Sequence, residues 1–285
     1  MVIDGHVHIF SPKIIANVSA KTEMVEKLAL QTASAPGRTE FAVLKDECRQ
    51  AGIDACLILP TAEAAEVRRV NASFVALAGQ RDFLHAAGTL HPRYAANGEE
   101  LLGLQAQGVR AIKLCSFSQG FSLAAPETAR LLAQIEEVNL RGKGSFFVIL
   151  DTFYLAHVYF GTPRHHTTTP ALLGALVRKY PGIDFVGAHM GGLAAPPEEI
   201  FAHLIPAPNL YLDTSNAAHT LAASDFLRLL DLHGPEHILF GTDWPWFGHR
   251  AERDLIAQLL DQGGLRPEEM ERVFYRNMAD LLGLI

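Results

Sequence analysis

A chain of 285 residues, 49% of them hydrophobic, with a formal net charge of -7, is long enough to bury the core of one large α/β domain. It carries no excess of lysine and arginine with which to hold nucleic acid or an anionic membrane surface. Cys48, Cys56 and Cys115 form no CxxC pair, which fits reduced thiols and leaves neither a disulfide framework nor a structural zinc site expected. With no basic segment leading into an apolar stretch and no run of about 18 apolar residues, a soluble cytoplasmic protein is expected.

Eight short apolar runs recur along the chain: residues 2–10, 55–60, 83–90, 109–115, 146–151, 184–189, 209–214 and 238–243. Between them, residues 40–51, 62–80, 126–141, 170–180, 222–233 and 250–262 place apolar side chains at i, i+3 and i+4, the helical spacing. Pro126 with Glu127 beside it, and Pro170 after three threonines, mark helix starts. Continuous apolar strands alternating with amphipathic helices predict a parallel sheet covered by helices. Eight repeats in one domain-sized chain predict a single (β/α)8 TIM barrel spanning residues 1–285. A doubly wound nucleotide-binding sheet lacks its signal, because no GxGxxG follows the first run. Residues 11–39 and 152–169 exceed ordinary loop length. Both follow a strand's C-terminal end, so they are expected lids or substrate walls.

A barrel gathers its chemistry at the C-terminal strand ends, and those ends carry His6, His8, His91, Lys113, Asp151, His189, Asp213 and Asp243. His6 and His8 are two residues apart and share one side of their strand, which must be the interior if they are to meet other strands. Leu239, Gly241 and Asp243 share one parity, and Phe185, Gly187 and His189 another; the glycines are expected to make room at a crowded mouth. Imidazole and carboxylate together suit zinc, with manganese, iron or cobalt as alternatives. Asp243 is placed to take a proton from metal-activated water. Lys113 is open to three roles: holding a substrate carboxylate, bridging two metals as a carbamate, or a structural ion pair. Asp213 is open to orienting a ligand histidine. His91 and Trp244 are candidate substrate contacts, Trp244 in a mouth that also carries Trp246, Phe247 and Phe117.

The motifs VIDGHVHIF, VRAIKL, FVGAHMGG and ILFGTDWPW, with VFYRNMADLLGL near the end, resemble the amidohydrolase superfamily across essentially the whole chain. The branch they resemble is the amidohydrolase-related one, of metal-dependent TIM-barrel hydrolases and decarboxylases. The resemblance implies that His6 and His8 bind a divalent metal, that Asp243 is a ligand or general base, and that His189 is a ligand or activates water. That branch usually carries a histidine at the end of the fifth strand, where FFVILDTFY has Asp151. Asp151 then stands as the replacement ligand; zinc remains the expected ion, and the more anionic site opens it to a harder one such as manganese or magnesium. The alternatives are a metal-free site, or an imidazole returned by His157, His165 or His166 of the long loop. The expected function is a metal-dependent hydrolase of an amide, lactone or ester bond in a small carboxylated or cyclic substrate. A non-oxidative decarboxylase of an aromatic or unsaturated acid competes with it, as does a barrel that has kept binding and lost turnover. The expected partner is a small molecule, not nucleic acid or membrane, with a homodimer as the assembly open to it.

Overall fold

The computed structural model describes residues 1–141 and 145–285. Its strands are Ile3–Val7, Ala55–Ile58, a third interrupted at Ala87 (Leu84–Ala86 and Gly88–Thr89), then Ala111–Leu114, Phe147–Leu150, Asp184–Gly187, Leu210–Asp213 and Ile238–Leu239. Every ladder is parallel and joins neighbours in chain order. The Ala87 N–H bonds Ile58 O at 3.0 Å where the third strand breaks. The ring closes through main-chain bonds from Gly5 N–H to Phe240 O at 2.9 Å, Asp243 N–H to His6 O at 3.0 Å and His8 N–H to Trp244 O at 2.8 Å. The fold is the expected TIM barrel.

Alternation along the strands divides the core in two. Ile3, Leu57, Phe147, Ile149, Val186 and Leu239 fill the barrel interior, closed at one end by Met278, Ala279 and Leu282 of the last helix, Asn277–Leu282. Ile58, Ile112, Val148, Phe185 and Leu212 face outward onto helix residues such as Leu44, Leu132, Leu173, Phe226 and Ile256. Each such side chain, fully buried, contributes roughly 1.5–3 kcal/mol.

The six expected helices are present as Phe41–Ala51, Val67–Gly79, Pro126–Arg141, Pro170–Lys179, Ala223–His233 and His249–Gln262. The Thr169 hydroxyl caps the fourth by accepting from Leu172 N–H at 3.2 Å. Gly52, at φ 67°, ends the first in the left-handed region. Asn97–Ala106 and Pro197–His203 were not expected. No described helix is long and apolar enough to cross a membrane.

The first strand contains an irregularity that aims the site. Ile3 belongs to the interior cluster and Val7 to the outer one, although regular alternation would put both on the same face. A register shift between Asp4 and Val7 accounts for it. The bulge lets Asp4 point outward while His6 and His8 turn into the barrel. Gly5 sits at this kink, where a Cβ would collide with the Met278 side chain.

Candidate active site

The two long loops fold over the C-terminal strand ends. Residues 11–39 form Pro12–Ser19, Thr22–Lys27 and the short helix Ala35–Thr39, while 152–169 form Ala156–Phe160 and Arg164–His166. Ile15, Val18, Met24, Leu28, Phe153, Ala156 and Trp246 make a separate apolar cluster there, and Lys21 Nζ ties the loops by donating to Tyr159 O at 2.8 Å. Beneath this cover lies a cavity of about 420 Å³. Its floor is polar, with His8, Lys113, Asp151, His189, Asn216 and Asp243, and its walls include Phe10, Phe117, Phe153, Phe160 and Trp246.

His6 and His8 bring their Nε2 atoms within 3.0 Å of each other. Asp243 Oδ1 stands 3.9 Å from the first and 3.7 Å from the second. The other nitrogen of each ring is committed: His6 Nδ1 donates to Asp213 Oδ2 at 2.8 Å, and His8 Nδ1 to Leu59 O at 3.2 Å. A carboxylate and a carbonyl only accept, so both protons belong on Nδ1 and both Nε2 atoms present lone pairs. Two lone pairs facing each other in a buried site repel, unless a cation lies between them and the Asp243 carboxylate. These three residues therefore fit a divalent ion.

The surroundings support this electrostatically. Burial, with His6 and Lys113 nearby, pushes His8 well below its ordinary value and keeps it neutral. Burial works against the Asp213 charge, yet the His6 ring beside it and its hydrogen bonds hold that carboxyl well below the usual range. Asp213 Oδ1 also accepts from His189 N–H at 2.9 Å and Ser215 N–H at 3.1 Å. Burial and the nearby Asp151 raise Asp243 well above a normal carboxylate, a repulsion that a bound cation would reverse.

His189 completes the floor. Its Nδ1 donates to Ser215 O at 2.8 Å, so Nε2 is the bare nitrogen, 4.0 Å from Asp151 Oδ2. Burial and His6 lower it to about 4. Lys113 Nζ, fully buried, has no hydrogen-bond partner, and its nearest ion-pair contact is Asp151 Oδ2 at 4.0 Å. Asn216 is also fully buried, and neither its Oδ1 nor its Nδ2 is bonded. Three cavity residues other than glycine, His189, Asn216 and Asp243, have φ of 56°, 55° and 60°. Strain of this kind persists where the surrounding structure imposes it, and it concentrates at functional sites.

Four expectations need correction. His91 lies outside the cavity lining: its Nε2 donates to Gln119 O at 3.0 Å and its Nδ1 accepts from Arg93 N–H at 3.1 Å, leaving no nitrogen for substrate. Trp244 follows the inward Asp243, so it turns outward into the strand–helix layer, and Trp246 lines the cavity instead. Asp151 is beside Lys113 and His189, not within the His6, His8 and Asp243 cluster. Gly187 makes room for helix packing rather than for the mouth, since a Cβ there would lie 2.5 Å from Leu173 Cδ2; His189 reaches the mouth through its positive φ. None of His157, His165 and His166 lines the cavity. Ser215 and Asn216 were not singled out; their only sequence signal was the polar run LDTSN at a strand end.

The Amidohydrolase family model matches residues 3–284. The chain belongs to the amidohydrolase family. Amidohydrolases of this family are metal-dependent enzymes, hydrolases and decarboxylases among them. A comparison with curated proteins finds no match. Among solved structures, this amidohydrolase is similar to an uncharacterized TIM-barrel protein from Bordetella bronchiseptica (TM-score 0.76, 18% identity, covering 99% of this chain and 98% of that one). It is also similar to a probable 2-pyrone-4,6-dicarboxylic acid hydrolase from Acinetobacter baumannii with citric acid bound (0.63, 15%, 99% and 99%). A third is a dihydroxybenzoic acid decarboxylase from a Polaromonas species with manganese and the inhibitor 2-nitroresorcinol (0.70, 16%, 99% and 97%). At these identities the structures speak for the barrel alone.

Proposed function

We propose that this amidohydrolase is a metal-dependent hydrolase that opens an amide, lactone or ester bond in a small cyclic or carboxylated substrate. The observation that supports it most is the pair of bare imidazole nitrogens of His6 and His8, 3.0 Å apart, with the Asp243 carboxylate beside them. A divalent ion held by these three residues supplies a Lewis acid for a carbonyl oxygen and lowers the pKa of water. Two imidazoles and a carboxylate suit zinc first and manganese second.

The protein's own groups do the rest. His189, neutral near pH 7 with Nε2 bare, accepts a proton at that nitrogen, and Asp243 is the second acceptor. Lys113 Nζ and the Asn216 amide have no bonds to lose, so they donate to a substrate carboxylate or carbonyl oxygen. The wall of Phe10, Phe117, Phe153, Phe160 and Trp246 excludes water and accepts a flat apolar body. That aromatic wall beside a lysine also favours the second reading, a decarboxylase of an aromatic acid in which His189 delivers a proton to the ring carbon.

The test is an assay of zinc-loaded and manganese-loaded protein against two panels. Lactones, 2-pyrone-4,6-dicarboxylate among them, are followed by loss of ring absorbance, and hydroxybenzoates by carbon dioxide release. Lactone opening without carbon dioxide is the expected result. Carbon dioxide release without any hydrolysis replaces the hydrolase by the lyase. Protein that retains no divalent ion, and whose thermal midpoint zinc and manganese leave unmoved, would sink both.

A further inference from the structure

A second group of metal-competent side chains lies behind the first strand, on the side away from the cavity. Cys48 comes from the helix Phe41–Ala51, Cys56 from the second strand and His249 from the start of the helix His249–Gln262. All three are buried, and their Sγ, Sγ and imidazole nitrogen atoms lie within 4.8 Å of one another. Cys48 Sγ is 3.3 Å from Cys56 Sγ and 3.6 Å from His249 Nε2. Both thiols are free, so the short sulfur–sulfur distance is not a disulfide.

We propose that Cys48, Cys56 and His249 form a second metal site, separate from the cavity, for a zinc-class ion. Zinc bonds to sulfur at about 2.3 Å and to nitrogen at about 2.0–2.1 Å, so neighbouring ligand atoms on a tetrahedron stand roughly 3.5–3.8 Å apart. The sulfur–nitrogen spacing of 3.6 Å matches its edge, and the sulfur–sulfur spacing of 3.3 Å is about half an ångström short of its own, a gap that an ion entering between the thiolates would open. His249 is also oriented as a ligand: Nε2 faces the sulfurs while Nδ1 faces Glu47 Oε2 at 3.6 Å. At that distance Nδ1 makes no hydrogen bond; an ion on Nε2 would leave the proton on Nδ1, facing a carboxylate of the kind that orients a metal-binding imidazole. Asp4 Oδ2 lies 3.2 Å from Nε2 but outside the group of ligand atoms that are all within 4.8 Å of one another, so Cys48, Cys56 and His249 are the three protein ligands and Asp4 is a neighbour that contacts His249.

Asp4 gives the site a consequence for catalysis. It accepts from His6 N–H at 3.0 Å, Thr242 N–H at 3.0 Å and Thr242 Oγ1 at 2.5 Å. Those bonds hold the backbone beside His6 and Asp243, so an ion behind the first strand would brace the strand ends that build the cavity floor. The expectation of no structural zinc rested on spacing along the chain, and this site joins residues 201 positions apart.

The experiment counts zinc in protein purified after growth with zinc as the only added metal, using elemental analysis. Wild type is expected to hold two equivalents, the His6→Ala/His8→Ala variant one, and the Cys48→Ser/Cys56→Ser variant one. A His6→Ala/His8→Ala protein with no zinc overturns the proposal. As a measurement that needs no unfolding-prone variant, wild type loaded with cobalt should show a sulfur-to-cobalt charge-transfer band. Absence of that band overturns the site, as does an intact mass showing the loss of two hydrogens to a Cys48–Cys56 disulfide. If one equivalent survives in the His6→Ala/His8→Ala variant while wild type is inactive on both substrate panels, the second site stands and the proposed function fails.

Discussion

Asp213, at the end of the seventh strand, accepts the Nδ1 proton of His6 on the first strand at 2.8 Å and thereby decides which nitrogen of His6 is bare. The same carboxylate takes two backbone N–H groups on its other oxygen. Asp213→Asn cannot serve both sides, because the amide must present its NH2 either to those N–H groups or to His6. In the second case the His6 proton moves to Nε2 and blocks the metal. We expect metal affinity to fall about 10- to 100-fold with the fold retained, measured by competition with a calibrated chelator. Unchanged affinity would show that Asp213 does not set the tautomer.

Asn216 is held at φ 55° with both amide atoms unbonded. Asn216→Gly relieves the backbone and removes only atoms that make no internal hydrogen bond. The variant should match wild type in thermal midpoint while its KM rises by about 10- to 150-fold, the equivalent of roughly 1.5–3 kcal/mol for a hydrogen bond to a charged group. Lys113→Met should raise KM in the same direction. A drop in stability with KM unchanged would make Asn216 a structural residue.

How far the sequence could be read follows from what each feature depends on. The eight strands were legible because a parallel strand is buried on both faces and so runs continuously apolar, as in Phe147–Leu150. His6, His8 and Asp243 were legible because barrel strands end where substrates bind. The bulge between Asp4 and Val7 was not, since its register depends on pairing with Ala55–Ile58 and on packing against Met278. Trp244 was misassigned by a single step of alternation, the error to which strands are most exposed. Helix Asn97–Ala106 escaped because its apolar residues form only a weak stripe, Leu101 and Leu104 being the large ones buried.

Two glycines separate stability from metal binding. A Cβ at Gly241 would lie 2.8 Å from His6 Cβ, whereas one at Gly187 would meet the end of Leu173 at 2.5 Å. Each alanine substitution should destabilise by about 1–3 kcal/mol through overpacking. Only Gly241→Ala pushes on the His6 imidazole, a proposed metal ligand, so it alone is expected to lose the ion proposed for the cavity floor. Elemental analysis and urea unfolding on both variants give the comparison; equal metal content would remove the steric link between Gly241 and His6.

His189 makes stability depend on pH in a predictable direction. Burial and the adjacent His6 lower it to about 4 in the folded protein, against about 6.5 in an unfolded chain. Between those values the unfolded state binds the extra proton, so stability is full above about pH 6.5 and falls as the pH drops toward 4. The imidazole's share of that loss reaches about 3 kcal/mol. Replacing the group by His189→Gln removes its titration, so the variant, stripped of metal, should lose less stability than stripped wild type between about pH 7 and pH 5. The catalytic counterpart is an acid limb of kcat/KM well below pH 6.5, since the neutral ring persists there. Equal slopes for the two proteins would mean that His189 is not held neutral by burial, and its assignment as proton acceptor near pH 7 would lose its electrostatic basis.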